Sequence, residues 1–230
     1  MNLKQLIELI NQSEMVLVGT GSEMSLPFSQ IEHKNLSLLE ETILDKETIE
    51  RETIEQETIE QALHNLFELI KDKNYFIIST NMDDEIRKHE FDQDRVVTPC
   101  GGFTFLQCKN NCNKNLFSAN DGLKRCPDCG EELIFCNKMA ENYNEEIYLQ
   151  DWENYTKWMQ GTLNRKLLMI ELGVGFQYPT VIRWPFEKMA FINQKATLVR
   201  VHSKLYQLTE ELKERAYSVN KNPVLFLHNK

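Results

Sequence analysis

Four cysteines, Cys108, Cys112, Cys126 and Cys129, stand in the pattern C-x3-C-x13-C-x2-C. Two close pairs joined by a hairpin-sized insert can bring four thiolates to one tetrahedral centre, about 2.3 Å from a zinc ion. The first pair is one residue wider than the commonest knuckle, and the competing reading is a chance cluster of buried thiols. A closed four-thiolate site has no free coordination position, so it would hold a small module together and do no chemistry. Gly130, directly after Cys-Pro-Asp-Cys, supplies the turn. Cys136 lies in the apolar Leu-Ile-Phe-Cys and reads as a core thiol, whereas Cys100 stands eight residues before Cys108, outside the set. At its ordinary pKa of about 8.5 such a thiol is mostly neutral near pH 7, unless a cation or a helix N-terminus lowers it.

Other residues capable of chemistry sit where apolar runs stop. Met15 to Val18 runs into Gly19-Thr20-Gly21-Ser22, and Tyr-Phe-Ile-Ile-Ser (75–79) runs into Thr80-Asn81-Met82-Asp83-Asp84. Leu-Leu-Met-Ile-Glu-Leu runs into Gly173-Val174-Gly175, and Ala-Thr-Leu-Val-Arg-Val runs into His202. A glycine turn after a strand lets backbone N–H groups approach a pyrophosphate, although two glycines without the third of the full fingerprint serve equally for backbone reasons. Asn81 and Asp83 read either as ligand-edge residues or as a turn or helix cap.

The elements that must carry these residues follow from periodicity. Leu3, Leu6, Ile7 and Ile10 predict an amphipathic helix over 2–12, and Leu63, Leu66, Phe67 and Ile70 predict another. Trp152, Tyr155 and Trp158 recur at helical spacing and read as packing, and Gln-Leu-Thr-Glu-Glu-Leu-Lys-Glu-Arg-Ala-Tyr-Ser-Val (207–219) predicts a closing helix. A five-residue repeat, Glu-Thr-Ile-x-x, fills 47–61 after a near-copy at 41. Five residues advance a helix by about 500°, so its isoleucines spiral, and a solvated helical insertion over 40–61 is the reading. Apolar strands alternating with helices predict an α/β class: a Rossmann-like doubly wound parallel sheet with an inserted small zinc-ribbon module. Residues 1–99 and 137–230 would form the Rossmann-like domain and 100–136 the zinc-ribbon module.

A chain of 230 residues can bury a full core without disulfides. Its net charge of −9 and lack of a Lys/Arg-rich block argue against nucleic acid as a partner. No apolar run of about 18 residues points to a membrane span, and the N-terminus lacks the pattern of a signal peptide. The expectation is a cytoplasmic protein whose six cysteines are ligands, catalytic groups or buried thiols.

The order of these features resembles the sirtuin family over about 16–202. That family's G-A-G-x-S, T-Q-N-x-D, H-G and G-T-S-x-x-V-x-P segments are matched by Gly19-Thr20-Gly21-Ser22, Ser79-Thr80-Asn81-Met82-Asp83, Cys100-Gly101 and Gly173 to Pro179. More narrowly, Glu-Leu-Gly-Val-Gly-Phe-Gln-Tyr-Pro-Thr-Val-Ile-Arg-Trp-Pro-Phe-Glu-Lys-Met is similar to divergent microbial sirtuins encoded beside macrodomain proteins. The resemblance implies NAD and zinc as cofactors. It places Gly19, Thr20, Gly21, Ser22, Thr80, Gly173, Val174, Gly175 and His202 around NAD, with Asn81, Asp83 and Cys100 at the catalytic positions. His202 would touch the adenosine ribose or cap its strand.

The departures bear on activity. Cys100 replaces the family's histidine, Thr80 its glutamine, and the segment after the first turn lacks the usual arginine. A histidine can act as general base on a ribose hydroxyl, and a thiol that is mostly neutral near pH 7 is handicapped in that role. The resemblance therefore implies an NAD-dependent protein-modifying enzyme, with ADP-ribosyl transfer and nicotinamide release ahead of deacylation. Its acceptor would be a protein, a lipoylated carrier in the subclass, with a macrodomain protein as partner. The alternatives are an NAD- or ADP-ribose-binding pseudoenzyme, in which Cys100 is a filler thiol, an NAD-dependent deacylase and an NAD hydrolase.

Overall fold

The computed structural model describes residues 1–26 and 56–228. Helix α1 (Leu3–Gln12) opens with a capping box. The Asn2 side chain accepts the Gln5 N–H at 3.0 Å, and the Gln5 side chain accepts the Asn2 N–H at 2.9 Å. These bonds satisfy two of the helix's orphan donors and are worth about 1 kcal/mol. Its buried stripe is Leu3, Leu6 and Ile10. Helix α2 (Gln56–Ile70) buries Ile59, Leu63, Leu66 and Ile70 along one face. Of the insertion expected at 40–61, residues 40–55 lie outside the described residues. Its last repeat copy, 57–61, opens α2, and Ile59 in it is fully buried.

Six strands form one parallel sheet: β1 (Met15–Thr20), β2 (Asn74–Ser79), β3 (Val96–Val97), β7 (Leu167–Leu172), β8 (Thr197–Val201) and β9 (Ala216–Val219). Their order is β3-β2-β1-β7-β8-β9. Buried on both faces, β1, β2 and β7 are near-continuous apolar runs, as parallel strands between helices must be. Val16, Val18, Ile77, Ile170 and Val199 pack in one cluster with α1, α2 and α6 (Pro223–His228). Leu17, Phe76, Ile78, Met169 and Leu198 pack in a second with α4 (Leu149–Gln160) and α5 (Arg183–Ile192). Trp158 belongs to that packing: its ring lies 5.8 Å from Phe76 and its indole N–H donates to Asn74 Oδ1 at 2.8 Å. The sheet grows outward in both directions from the β1–β7 pair, so the topological switch point lies at the carboxyl ends of those two strands.

Between β3 and β7 the chain builds a second, antiparallel sheet in the order β5-β4-β6, from β4 (Gly101–Cys108), β5 (Phe117–Ser118) and β6 (Leu133–Asn137). Helix α3 (Glu85–Lys88) is a single turn after β2.

The closing helix expected over 207–219 is replaced by a short 3-10 turn, Glu210–Leu212, and by strand β9. Ala216, Tyr217, Ser218 and Val219 pair with Leu198 to Val201 of β8, whose outer edge would otherwise present unpaired N–H and C=O groups. Local helical periodicity loses to that demand, and the true closing helix is α6. Among the described residues no helix is long and apolar enough to cross a membrane.

Candidate active site and metal centre

Each residue singled out in the sequence for cofactor binding or catalysis lies at the carboxyl edge of the parallel sheet. Gly21 and Ser22 follow β1, Thr80 to Asp83 follow β2, Cys100 follows β3, Gly173 to Gly175 follow β7 and His202 follows β8. The backbone stitches this edge together: Gly21 N–H donates to Leu172 O and Gly173 N–H to Val201 O, both at 2.9 Å. Gly173 adopts φ +65°, a conformation glycine tolerates best. A Cβ on Gly21 would fall 2.6 Å from Gly173 O and from Val174 Cα, so the two turns touch only because Gly21 is bare. Gly19 serves a different end, since a Cβ there would strike Ile182, the N-cap of α5, at 2.5 Å and Phe186 on α5 at 3.2 Å. Gly175 has open space, its nearest neighbour being Leu205 at 3.9 Å.

The loop after β2 is bound to the segment after β1. Thr80 donates its N–H and its hydroxyl to Thr20 O, at 3.0 and 3.3 Å. Asn81 Nδ2 donates to Met24 O at 3.0 Å. Asp83 accepts the Leu26 N–H at 2.7 Å and the Glu85 N–H at 3.1 Å. Asp83 is buried, and desolvation pushes its carboxyl up to about 6 despite the hydrogen bonds it accepts from Ser25, Leu26 and Glu85. With both oxygens engaged by backbone donors, Asp83 organises the loop.

At the other side of the switch point, Glu23 bridges turns. Its carboxylate accepts the Ser203 N–H at 3.0 Å and the Ser203 hydroxyl, and lies 3.0 Å from His202 Nδ1. Burial pushes Glu23 up, and the contacts with His202 and Ser203 outweigh it, leaving the carboxyl below its ordinary value. His202 Nδ1 also lies 3.1 and 3.2 Å from the backbone nitrogens of Lys204 and Leu205, so the ring sits against the loop that follows β8. Arg183 binds Val174 O at 2.9 Å and Leu205 O at 2.8 Å, tying the β7 turn to the loop after β8. Beneath, Arg200 is fully buried between Glu171, at 2.5 and 3.1 Å, and Glu187, at 2.8 Å. Arg183 and Glu187, which flank Arg-Trp-Pro-Phe-Glu and read in the sequence equally as a structural pair or as substrate contacts, are structural, each bonded to a different partner, whereas Glu23 and the buried Glu171–Arg200 pair were missed in the sequence. A charge inside the apolar runs Leu-Leu-Met-Ile-Glu-Leu and Leu-Val-Arg-Val was the one signal available.

Cys100 is fully buried. Burial pushes its thiol up to about 12, against a weaker pull downward from the Lys138 ammonium. It is a protonated thiol throughout the physiological range. Cys136, also fully buried, is likewise raised to about 12 and donates its S–H to Asn144 O at 3.4 Å.

The four remaining cysteines converge. Cys108 Sγ lies 3.5 Å from Cys129 Sγ, Cys112 Sγ lies 3.6 Å from Cys126 Sγ, and all four sulfurs fall within 4.8 Å of one another. A tetrahedron with 2.3 Å bonds has edges of about 3.8 Å, so the donor set fits a closed zinc site. Gly130, at φ +74°, donates to Cys126 O at 2.9 Å and closes the second knuckle.

The carboxyl edge also fits a dinucleotide. It presents the switch point, two interlocked glycine turns and, at the end of β1, a buried Thr20 hydroxyl with no partner among the described residues. Cavities of about 420 and 260 Å³ lie instead at the amino ends of the strands, lined by Glu14, Asn74 and Trp158 in the larger and Leu9, Leu167 and Thr197 in the smaller. No candidate residue reaches either.

The architecture is a doubly wound parallel sheet with a four-cysteine antiparallel module inserted after its third strand. Solved sirtuin structures share it along nearly the whole chain. One that addresses sirtuin substrate affinity and one of a Sir2 protein bound to a propionylated peptide superpose with TM-scores of 0.60 and 0.62, each covering 99% of this chain and 96% of the other at 18% identity. The chain has the sirtuin fold. No family model matches it. It is 23% identical over 169 residues to a "Protein ADP-ribosyltransferase" of Staphylococcus aureus, covering 65% of this chain and 54% of that protein. It is 25% identical over 150 residues to a "Probable bifunctional ADP-ribose hydrolase/ADP-ribosyltransferase" of Fusarium oxysporum f. sp. cubense, covering 55% and 25%. The match thus spans about half of the first relative and a quarter of the second.

Proposed function

We propose that the protein is an NAD-dependent protein ADP-ribosyltransferase of sirtuin fold that releases nicotinamide. The observation that carries this reading is the state of Cys100: no base stands at the position where the sirtuin resemblance places a catalytic histidine. A deacylase needs that base on a ribose hydroxyl, whereas transfer to a protein nucleophile does not. The names of the two relatives support the same choice.

Bound NAD supplies a ribose carbon with nicotinamide as its leaving group. Gly21, Ser22, Gly173, Val174 and Gly175 line the switch point with Thr20, whose hydroxyl offers a buried hydrogen bond. Gly19 and Thr80 hold the turns in place from behind. Asn81, fixed by its bond to Met24 O, orients the ribose. Asp83 keeps that asparagine's loop against the first turn, and His202 with Glu23 shapes the adenosine side. The acceptor is a protein, and within this reading a lipoylated carrier is the substrate and a macrodomain protein the partner. Six cysteines without a disulfide suit the reducing cytoplasm.

The test uses zinc-loaded protein, labelled NAD and a carrier protein with and without its lipoyl group, with nicotinamide and free ADP-ribose measured alongside. Label on the lipoylated carrier and nicotinamide release lowered at least about a hundredfold in Asn81→Ala support the reading. Binding of NAD with no label on any protein overturns it in favour of a binding module. Free ADP-ribose without acceptor points to a hydrolase.

A further inference from the structure

Asp84 sits at the N-cap of α3, where an aspartate ordinarily accepts an N–H of its own helix, yet it makes no such bond. Asp83 takes the Glu85 N–H in its place. Asp84 itself adopts φ +59°, a left-handed conformation that non-glycine residues adopt uncommonly. That conformation sends its carboxylate across to β4. Oδ2 accepts the Phe103 N–H at 3.0 Å, the Thr104 N–H at 3.1 Å and the Thr104 hydroxyl at 2.6 Å. The register of β4 against β6 breaks between Gly101 and Leu106, so the carboxylate receives backbone donors just where regular pairing fails. Gly102 is part of the same fitting, because a Cβ there would lie 2.3–2.6 Å from the Asp84 carboxyl.

Strand β4 therefore carries this clamp near its first residue and Cys108, a zinc ligand by geometry, as its last. Asp84 adjoins Asp83 and the Asn81 loop. We propose that Asp84 is a positioning residue that couples the four-cysteine centre to the Asn81–Asp83 loop: metal binding orders β4, and β4 holds the loop through Asp84. The significance of that loop rests on the function proposed above, but the coupling itself does not.

Amide hydrogen exchange on the full chain, zinc-loaded and after chelation, tests it in wild type, Asp84→Ala, Asp84→Asn, Gly102→Ala and the Asp84→Ala/Gly102→Ala pair. Chelation is expected to speed exchange over 80–86 by at least about tenfold in wild type while the β1 and β7 amides stay protected. In Asp84→Ala the loop exchanges fast already, and chelation adds less than about threefold. Asp84→Asn, which keeps an acceptor oxygen, falls between. Gly102→Ala alone resembles Asp84→Ala, and the pair is no worse than either, because the clash needs the carboxylate. Equal acceleration by chelation in wild type and Asp84→Ala, a loop in Asp84→Ala as protected as in wild type, or uniform acceleration that includes β1 and β7 overturns the proposal. If the exchange pattern holds and no NAD is cleaved, the coupling stands and the transferase reading falls.

Discussion

Asp83 Oδ2 and the backbone N–H of Leu26, 57 residues apart in sequence, meet at 2.7 Å and join the loops that follow β1 and β2. The bond is made by a carboxyl that burial has pushed up to about 6 from 3.8. Because the folded value is raised, the folded state binds more protons than the unfolded chain between those two values. Stability from this group is present below pH 3.8 and is lost as pH rises towards about 6, by about 3 kcal/mol in all. Asp83→Asn cannot ionise. Denaturant unfolding of both proteins from about pH 4 to about pH 7 should show the variant gaining on wild type by that amount across this window. A constant difference means that the carboxyl is not raised.

Cys100 is expected to be dispensable for proton transfer. Cys100→Ala should keep the rate of nicotinamide release within about threefold of wild type, with no change in the pH–rate profile between about pH 6 and about pH 9. The variant loses about 1 kcal/mol of stability through the small cavity left behind. A lost alkaline limb in the profile shows that the thiol titrates in function.

Two glycines of the carboxyl edge should respond oppositely to the same added methyl. Gly21→Ala forces its Cβ to within 2.6 Å of Gly173 O and separates the two turns, which costs about 1–3 kcal/mol and weakens NAD binding at least about tenfold. Gly175→Ala meets only Leu205 at 3.9 Å and should leave stability within error. Calorimetric titration with NAD and thermal unfolding check both variants.

The Glu171–Arg200–Glu187 triad gives the sheet a charge that is safe only while complete. Arg200→Ala leaves Glu171, fully buried, without its partner and is expected to cost about 3–5 kcal/mol, whereas Arg200→Met with Glu171→Leu should recover most of it. If the double replacement is as unstable as Arg200→Ala alone, lost packing and not the orphaned charge is the cause.

Much of the site was legible because chain connectivity keeps certain groups close. The spacing of Cys108, Cys112, Cys126 and Cys129 dictates two knuckles, and apolar runs ending in glycine or asparagine mark where strands stop. Those local relations determined the sheet's central strands, the metal donors and which residues reach the carboxyl edge. Tertiary structure alone decided what those residues do there. The Cys100 thiol stays protonated because the fold removes it from water, and nothing in Thr-Pro-Cys-Gly-Gly carries that information. Asp83 organises a loop because Leu26 arrives beside it. Residues 216–219 form a strand because β8 has an open edge, a demand that local helical periodicity does not register. Desolvation and long-range hydrogen bonding depend on neighbours distant in sequence, and only the packed chain supplies them.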